Sequence, residues 1–396
     1  MKILAVLPRF PYPLEKGDKL RAYHQLRCLA ANNEVYLFCL SHKDVLPEHI
    51  DLLKAFCREV EVVRLHHFPS CLSALWNMLR VRSLQTGYWT SARSRRRYKA
   101  FEQKVKPDVI YSQMVRTMPL VARSTYPKVM DYQDALSLNM QRRMEHSHGL
   151  LRRGAFHYEF KMLRSAEYDA FDIFDDLTII SEPDSMAIPH RMNHTIHLVP
   201  NGVDFDFFHP MPEVEKQYDV VFCGNMQYSP NVDTSVFLAT EVMPLVWKEC
   251  PQARLLLAGA TPTAAVRKLA NDRVTVSGTV DDIRRCYAAG RIFAAPMRLG
   301  SGLQNKLLEA MAMQLPCITS TLANHALGAT PDRHLLIGDD APTVARHIVQ
   351  LLHNPRQGEQ LVNEASDFVH QHFSWEAYGQ QLEQILLQAS KKRENK

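Results

Sequence analysis

Short apolar, β-branched runs alternate with helical stretches along this chain, and that alternation restricts the fold more than any other feature. The first series falls at 2–7, 34–40, 59–65, 107–112, 128–131, 176–181 and 195–200. A second begins at 218–224 and continues through 254–259, 274–278, 291–296, 316–320 and 334–337. Near-continuous apolar strands separated by helices imply parallel sheets covered on both faces. The predicted class is α/β, with two doubly wound parallel-sheet domains facing a cleft. The length agrees, because 396 residues exceed what one core usually encloses. Pro200, Pro210 and Pro212 punctuate the junction. The expected domains are 1–196 and 197–374, with a helix over 375–396 that crosses back toward the first.

Most of these runs end in Gly, Ser or Pro, and ligands of open α/β sheets bind at the carboxyl ends of the strands. The richest such end is 292–321. An apolar run stops at Pro296, Gly300 and Gly302 open a turn, and 303–313 reads as a helix. A glycine turn leading into a helix presents backbone N–H groups and a positive dipole end, a place for phosphate. Arg298 and Lys306 add full charges beside it. Glu309 lies one helical turn after Lys306 on the same face, and a carboxylate accepts hydrogen bonds from hydroxyls. Phosphate donors beside a hydroxyl acceptor point to a nucleotide-sugar. Negative charge then develops on a leaving diphosphate, so Arg298, Lys306 and the amides of Gly302 and Leu303 are the expected source of catalysis. Plainer readings stand beside these. Glu309 also fits an ordinary helix surface, Asp18 a helix N-cap, and Gly17, Gly224, Gly259 and Gly278 simple strand or turn ends. The histidine pairs at 66/67, 146/148 and 370/372 read as surface or core residues.

Eight cysteines are scattered without a CxxC pair, as reduced thiols are, so a cytoplasmic location is expected. No metal-ligand spacing stands out, and no metal is expected. The apolar run after Met1 stops at Pro8, too short for a membrane span. Between Arg80 and Lys106 nine Lys/Arg meet one acid, Glu102, with Trp76, Tyr88 and Trp89 nearby. Two readings of 76–106 are level: peripheral contact with an anionic inner-membrane face, and a solvated basic helix over a core edge. Nucleic acid is not the expected partner.

Three motifs together resemble a known family. These are the linker Leu198-Val-Pro-Asn-Gly-Val-Asp-Phe-Asp-Phe-Phe-His-Pro210, the turn Val221-Phe-Cys-Gly-Asn-Met-Gln-Tyr-Ser-Pro-Asn231, and the segment 296–321. The chain resembles retaining glycosyltransferases of the GT-B fold, with two Rossmann-like domains, in glycosyltransferase family 4. The loop Pro11–Arg21 is similar to that of a bacterial exopolysaccharide-associated subgroup. The resemblance implies a UDP- or GDP-sugar donor, a glycan or polyprenyl-linked acceptor, and no metal cofactor. It implies donor contact at Gly224, Asn225, Gly300, Ser301, Gly302 and Leu303, with Ser301 at the position that faces the sugar's hydroxyls, and ribose contact at Glu309. It makes 1–196 the acceptor domain and 197–374 the donor domain. It places the base at Ser277 to Val280, through Gly278 and Thr279, and puts Gly17 and Asp18 opposite from the first domain, with Asp18 a catalytic candidate beside the sugar or acceptor. The chain departs from the family where Ser301 replaces a first glutamate, and where Asn225 and Asn231 replace an Arg and a Lys. Asp131 and Asp134 stand at the strand end where a histidine is common; the sequence does not choose between them, and Asp131 is carried as the catalytic candidate. Two rivals follow: a nucleotide-sugar epimerase of the same fold, and a degenerate binding protein without transferase activity.

Overall fold

The computed structural model describes residues 1–14, 17–145, 147, 149–300 and 302–392. The chain divides into two compact units, Met1–Pro200 with Glu376–Lys396, and Asn201–Trp375. The division falls at Pro200/Asn201, where the sequence reading put it at 196/197.

The first unit is built on seven strands: β1 (Lys2–Leu7), β2 (Glu34–Ser41), β3 (Glu59–Arg64), β4 (Val109–Gln113), β5 (Lys128–Asp131), β6 (Asp176–Ile179) and β7 (His197–Leu198). All pair in parallel, in the order β3-β2-β1-β4-β5-β6-β7. The second unit contains β8 (Tyr218–Cys223), β9 (Leu255–Ala258), β10 (Val274–Gly278), β11 (Gly290–Ala295), β12 (Cys317–Thr319) and β13 (Leu336–Ile337). These too are all parallel, in the order β10-β9-β8-β11-β12-β13. Each expected run contains a strand; 176–181, 195–200, 218–224, 254–259, 291–296 and 316–320 lose their Gly, Ser or Pro end where the chain turns out of the ladder, while 2–7, 128–131 and 274–278 keep their limits.

Both sheets reverse direction at the same place in their order. Successive strands run outward from β1 to β3, and then the chain returns to place β4 on the other side of β1. The second sheet repeats this at β8 and β11. Loops leaving the two central strands therefore diverge to opposite faces and open a crevice at the carboxyl edge, where ligands bind in such sheets. In the second unit that crevice lies between Gly224 and the glycine turn of 296–302; in the first it lies between Pro8 and Met114.

Burial follows the strand pattern. Ile3 to Leu7, Val220 to Phe222 and Phe293 to Ala295 are all removed from solvent. The helix Ala92–Val105 buries Ser94, Tyr98, Phe101 and Val105 and turns its arginines outward, as a solvated basic helix does. The final helix, Trp375–Lys391, packs on the first unit. Leu382, Ile385, Leu386 and Ala389 join Leu26, Leu29 and Leu53 in one core. Glu383 Oε1 accepts from Asn33 at 2.7 Å, and Lys392 Nζ reaches Asp176 Oδ2 at 2.7 Å.

Leu386 is fully buried in that core, so Leu386→Ala is expected to lower unfolding free energy by about 2–5 kcal/mol. A urea midpoint equal to wild type would contradict this packing of the last helix.

Candidate functional site

In the second unit the site forms where β8 and β11 end. Gly224 follows β8 and lies against Gly259, which follows β9 with φ +141°. A Cβ on Gly259 would sit 1.8 Å from the Gly224 carbonyl oxygen, so only glycine allows this contact. A Cβ on Gly224 would meet Asn231 Nδ2 at 2.6 Å. That amide donates to the Asn225 carbonyl at 2.9 Å and pins the turn. Asn225 Oδ1 accepts from Gln227 N at 3.0 Å and from Thr261 Oγ1 at 3.1 Å. Asn225 and Asn231, the departures noted in the sequence, therefore hold the shape of the turn.

Lys306 reaches into this turn from the other side of the sheet's reversal. Its Nζ donates to Asn231 Oδ1 and Gln304 Oε1, each at 2.9 Å, and lies 5.7 Å from the centre of the Phe222 ring. Burial pushes its pKa down to about 8, against the opposing charge of Glu309. The helix carrying it is Asn305–Ala312, two residues shorter at its start than the sequence implied. Gln304 stays extended, with Nε2 bonded to the Gly302 carbonyl at 2.8 Å. Gly302 and Leu303 thus lie in the segment leading into the helix N-terminus. Gly300 has φ +88°, in the turn before them. Ser301 lies outside the described residues.

Glu309 Oε2 accepts from the buried Tyr287 hydroxyl at 2.7 Å. Burial raises the Glu309 pKa, while the Tyr287 bond and Lys306 oppose the rise. Tyr287 was not legible as a site residue, because its helix, Ile283–Ala288, belongs to a different part of the chain pattern. Gly278, φ +69°, ends β10 with open space where a Cβ would be, and Thr279 beside it is exposed. Ser277 Oγ accepts from Gly259 N at 3.2 Å and donates to the Gly278 carbonyl at 2.8 Å, tying the β9 and β10 ends together.

Arg298 corrects the expectation of a two-cation clamp. Its Nε and Nη2 donate to both oxygens of Asp233 at 3.0 and 2.8 Å, and Nη1 approaches Glu241 at 3.4 Å. Its guanidinium covers the Phe237 ring at 4.4 Å. A bidentate carboxylate neutralises it there, and its partners lie some sixty residues upstream, out of reach of any local reading.

The first unit gathers polar groups at the ends of β1, β4 and β5. Asp18, expected as an N-cap, instead lies in the first turn of the helix Gly17–Ala30, which begins one residue earlier. Its Oδ2 accepts from Arg9 Nη1 at 2.7 Å. A small pocket beside it is lined by Arg9, Asp18, Lys19, Gln113 and Gln133. Asp131, the expected catalytic group, is fully buried and held by its neighbours: Arg21 Nε at 2.6 Å, Arg21 Nη2 at 3.1 Å, Tyr111 OH at 3.0 Å and Gln133 N at 3.1 Å. These bonds fill both oxygens, so Asp131 organises the β5 end and has no lone pair directed at a substrate. Asp134 differs. Its carboxylate makes no ion pair or hydrogen bond among the described residues, and burial, then the charge of Asp184, raises its pKa to about 7. His66 and His67 lie at a helix start, with His67 stacked on His42 at 5.1 Å. His370 stacks on Phe205 at 4.0 Å. His146 and His148 lie outside the described residues. No cluster of three or more potential metal ligands occurs among the described residues.

Residues 217–354, almost all of the second sheet with its helices, match the family model described as Glycosyl transferases group 1. A 44.6 kDa protein in the cps region of Klebsiella pneumoniae is 20% identical over 386 residues, covering 94% of this chain and 96% of that protein. Among solved structures, sucrose-phosphate synthase from Thermosynechococcus elongatus aligns with a TM-score of 0.71 at 16% identity, over 98% of this chain and 99% of that one. Anabaena HepE in complex with UDP-glucose aligns with a TM-score of 0.71 at 16% identity, over 98% and 100% of the two chains. WaaG, a glycosyltransferase involved in lipopolysaccharide biosynthesis, aligns at 0.65 and 12% identity, over 97% and 99%. The chain has the GT-B fold.

Removing the Asp131 carboxylate leaves the Arg21 charge buried without its main partner. Asp131→Ala should therefore lose about 3–5 kcal/mol of stability, and Arg21→Met with Asp131→Leu should recover most of it. Urea unfolding checks both; an Asp131→Ala protein as stable as wild type would refute the structural role.

Proposed function

We propose that this protein is a retaining glycosyltransferase that moves a sugar from a UDP- or GDP-sugar to a glycan or polyprenyl-linked acceptor in cell-surface polysaccharide synthesis. The observation that carries the reading is Lys306, a half-buried ammonium hydrogen-bonded across the sheet's reversal to the asparagine that shapes the Gly224 turn. A cation fixed at that crevice, beside a helix N-terminus, is suited to a diphosphate. The Glycosyl transferases group 1 match over 217–354 supports the same reading of this half. HepE, of the same fold, binds UDP-glucose, which supports a nucleotide-sugar here. The relative from a cps region supports a polysaccharide pathway.

Each residue then has a role. Lys306 and the amides around Gly302 and Leu303 meet the charge that grows on the leaving diphosphate, with no metal required. The Gly224 turn, with Asn225, gives the phosphates close approach to backbone. Glu309 keeps Oε1 for ribose hydroxyls while Tyr287 fixes Oε2, and the β10 end at Gly278 and Thr279 receives the base. Arg298 supports the helix behind the site. In the first unit Arg9, Asp18 and the pocket beside them bind acceptor, and Asp134 is better suited than Asp131 to exchange a proton near neutral pH.

Lys306→Ala is expected to reduce kcat/KM by about 10²- to 10³-fold, as loss of one charge-stabilising donor does, while leaving the thermal midpoint near wild type. Turnover of UDP- and GDP-sugars in EDTA-containing buffer, with lipid-linked acceptor, checks this. Full activity in the variant would place the diphosphate elsewhere, and absence of donor binding by wild type would favour a degenerate scaffold.

A further inference from the structure

The helix His67–Leu79 has its polarity reversed relative to an ordinary surface helix. Its sequence, His-Phe-Pro-Ser-Cys-Leu-Ser-Ala-Leu-Trp-Asn-Met-Leu, carries no Asp, Glu, Lys or Arg. Small and polar residues face inward. Ser70 and Asn77 are buried, Asn77 Nδ2 donates to the Ser83 carbonyl and Thr86 Oγ1 at 3.2 Å each, and Ser73 Oγ donates to the Thr90 carbonyl at 3.0 Å. Contact with the next helix, Leu84–Trp89, is close enough that a Cβ on Gly87 would lie 2.8 Å from the Ser73 carbonyl oxygen. The apolar residues face out: Phe68 is 74% exposed, Leu72 53%, Leu75 55%, Trp76 55% and Leu79 76%. Their spacing of four, three, one and three residues makes one continuous stripe. A soluble helix turns such a stripe inward, and an apolar patch of this extent on a surface marks a docking site.

This exposed face is firmly held. Glu159 accepts from Ser83 Oγ at 2.5 Å, Leu84 N at 2.8 Å and Gln85 N at 3.1 Å. Tyr158 OH bonds the Arg82 carbonyl at 2.9 Å and lies 3.3 Å from that of Met78. Both come from the helix Leu150–Ile173, whose first turn exposes Leu150 and Leu151 ahead of Arg152 and Arg153.

Positive charge surrounds the stripe. The Arg80 guanidinium stands 4.7 Å from the centre of the Trp76 ring. Arg80 and Arg82 directly follow the helix, and Arg95 Nη2 lies 3.5 Å from the Thr90 carbonyl that Ser73 also bonds; Arg123, Arg82 and Arg80 are the like charges that act on Arg95. Asp169 is the acid that feels Arg82.

We propose that the outward face of His67–Leu79, with Arg80, Arg82, Arg95 and Arg123, docks on an anionic lipid surface. Apolar side chains enter the headgroup–acyl boundary while the arginines meet lipid phosphates, the arrangement that holds amphipathic segments in an interface. Charge complementarity selects this occupant: four gathered cations would repel a second copy of the same face and attract anionic headgroups, each contributing roughly fivefold in partitioning. No helix among the described residues is long and apolar enough to cross a membrane, so the contact lies on the surface. The sequence reading centred membrane contact on 76–106; the structure moves the apolar part to 67–79 and leaves only the flanking arginines from that run. This inference does not depend on the donor-site reading.

Co-sedimentation of the full chain, without nucleotide, with phosphatidylcholine vesicles and with phosphatidylcholine–phosphatidylglycerol vesicles, whose negative surface potential attracts basic segments, tests it. Wild type should bind the anionic vesicles at least tenfold more tightly than the neutral ones. Both the triple variant Leu72→Ser/Trp76→Ser/Leu79→Ser and the pair Arg80→Glu/Arg82→Glu should lose at least tenfold in that binding, with circular dichroism unchanged. Equal pelleting of the triple variant would overturn the proposal. So would absence of vesicle binding by wild type, or a dimer in size-exclusion that the triple variant abolishes while lipid binding stays absent.

Discussion

The hydrogen bond from Lys306 to Asn231 joins the helices that follow β8 and β11, the two strands between which the second sheet reverses. Everything assigned to the donor half depends on it. A doubly wound parallel sheet makes a crevice wherever its order reverses, but the crevice alone is shape without charge. Asn231 uses its amide nitrogen to fix the Gly224 turn and its oxygen to hold the ammonium, so one side chain sets both the turn and the cation. The Gly224–Gly259 contact then brings the ends of β8 and β9 so close that no side chain intervenes between an incoming phosphate and backbone.

The cost of placing an ammonium there is visible in its proton affinity. Burial draws the Lys306 pKa down to about 8, below the usual lysine range, and Glu309 only partly opposes this. A group poised near the working pH binds a dianion best once the dianion's own charge restores its proton. Glu309 is shifted the opposite way for the same reason, burial, against the opposing pull of the Tyr287 hydrogen bond and Lys306. Under the proposed function the site is a coupled set, in which an arriving diphosphate would strengthen the cation that receives it.

Much of this architecture was legible in the chain because parallel strands buried on both faces must be apolar throughout. The runs at 2–7, 128–131 and 274–278 show it with the same limits in sequence and structure. What could not be read were relations set by tertiary placement. Arg298 and Lys306 look equivalent beside the glycine turn, yet Asp233 on a distant helix takes one and Asn231 orients the other. Asp131 and Asp134 look equivalent at a strand end, but Arg21, 110 residues away, buries the first in an ion pair and leaves the second without one. The stripe at 68, 72, 75, 76 and 79 has the spacing of a core helix; only packing shows that Ser70, Ser73 and Asn77 point inward in its place.

The most direct measurement of the central claim is proton uptake on UDP binding. Lys306 has a folded pKa lowered to about 8, so above that pH the free protein holds it mostly neutral, while the bound diphosphate favours the charged form. Calorimetric titration with UDP at pH 8.5, in buffers of differing ionisation enthalpy, should reveal uptake of roughly 0.8 proton per site, the fraction deprotonated half a unit above that pKa. The same titration on Lys306→Met should show no uptake and weaker binding. Equal uptake by both proteins, or none by wild type despite tight binding, would contradict the assignment of Lys306 as the diphosphate cation.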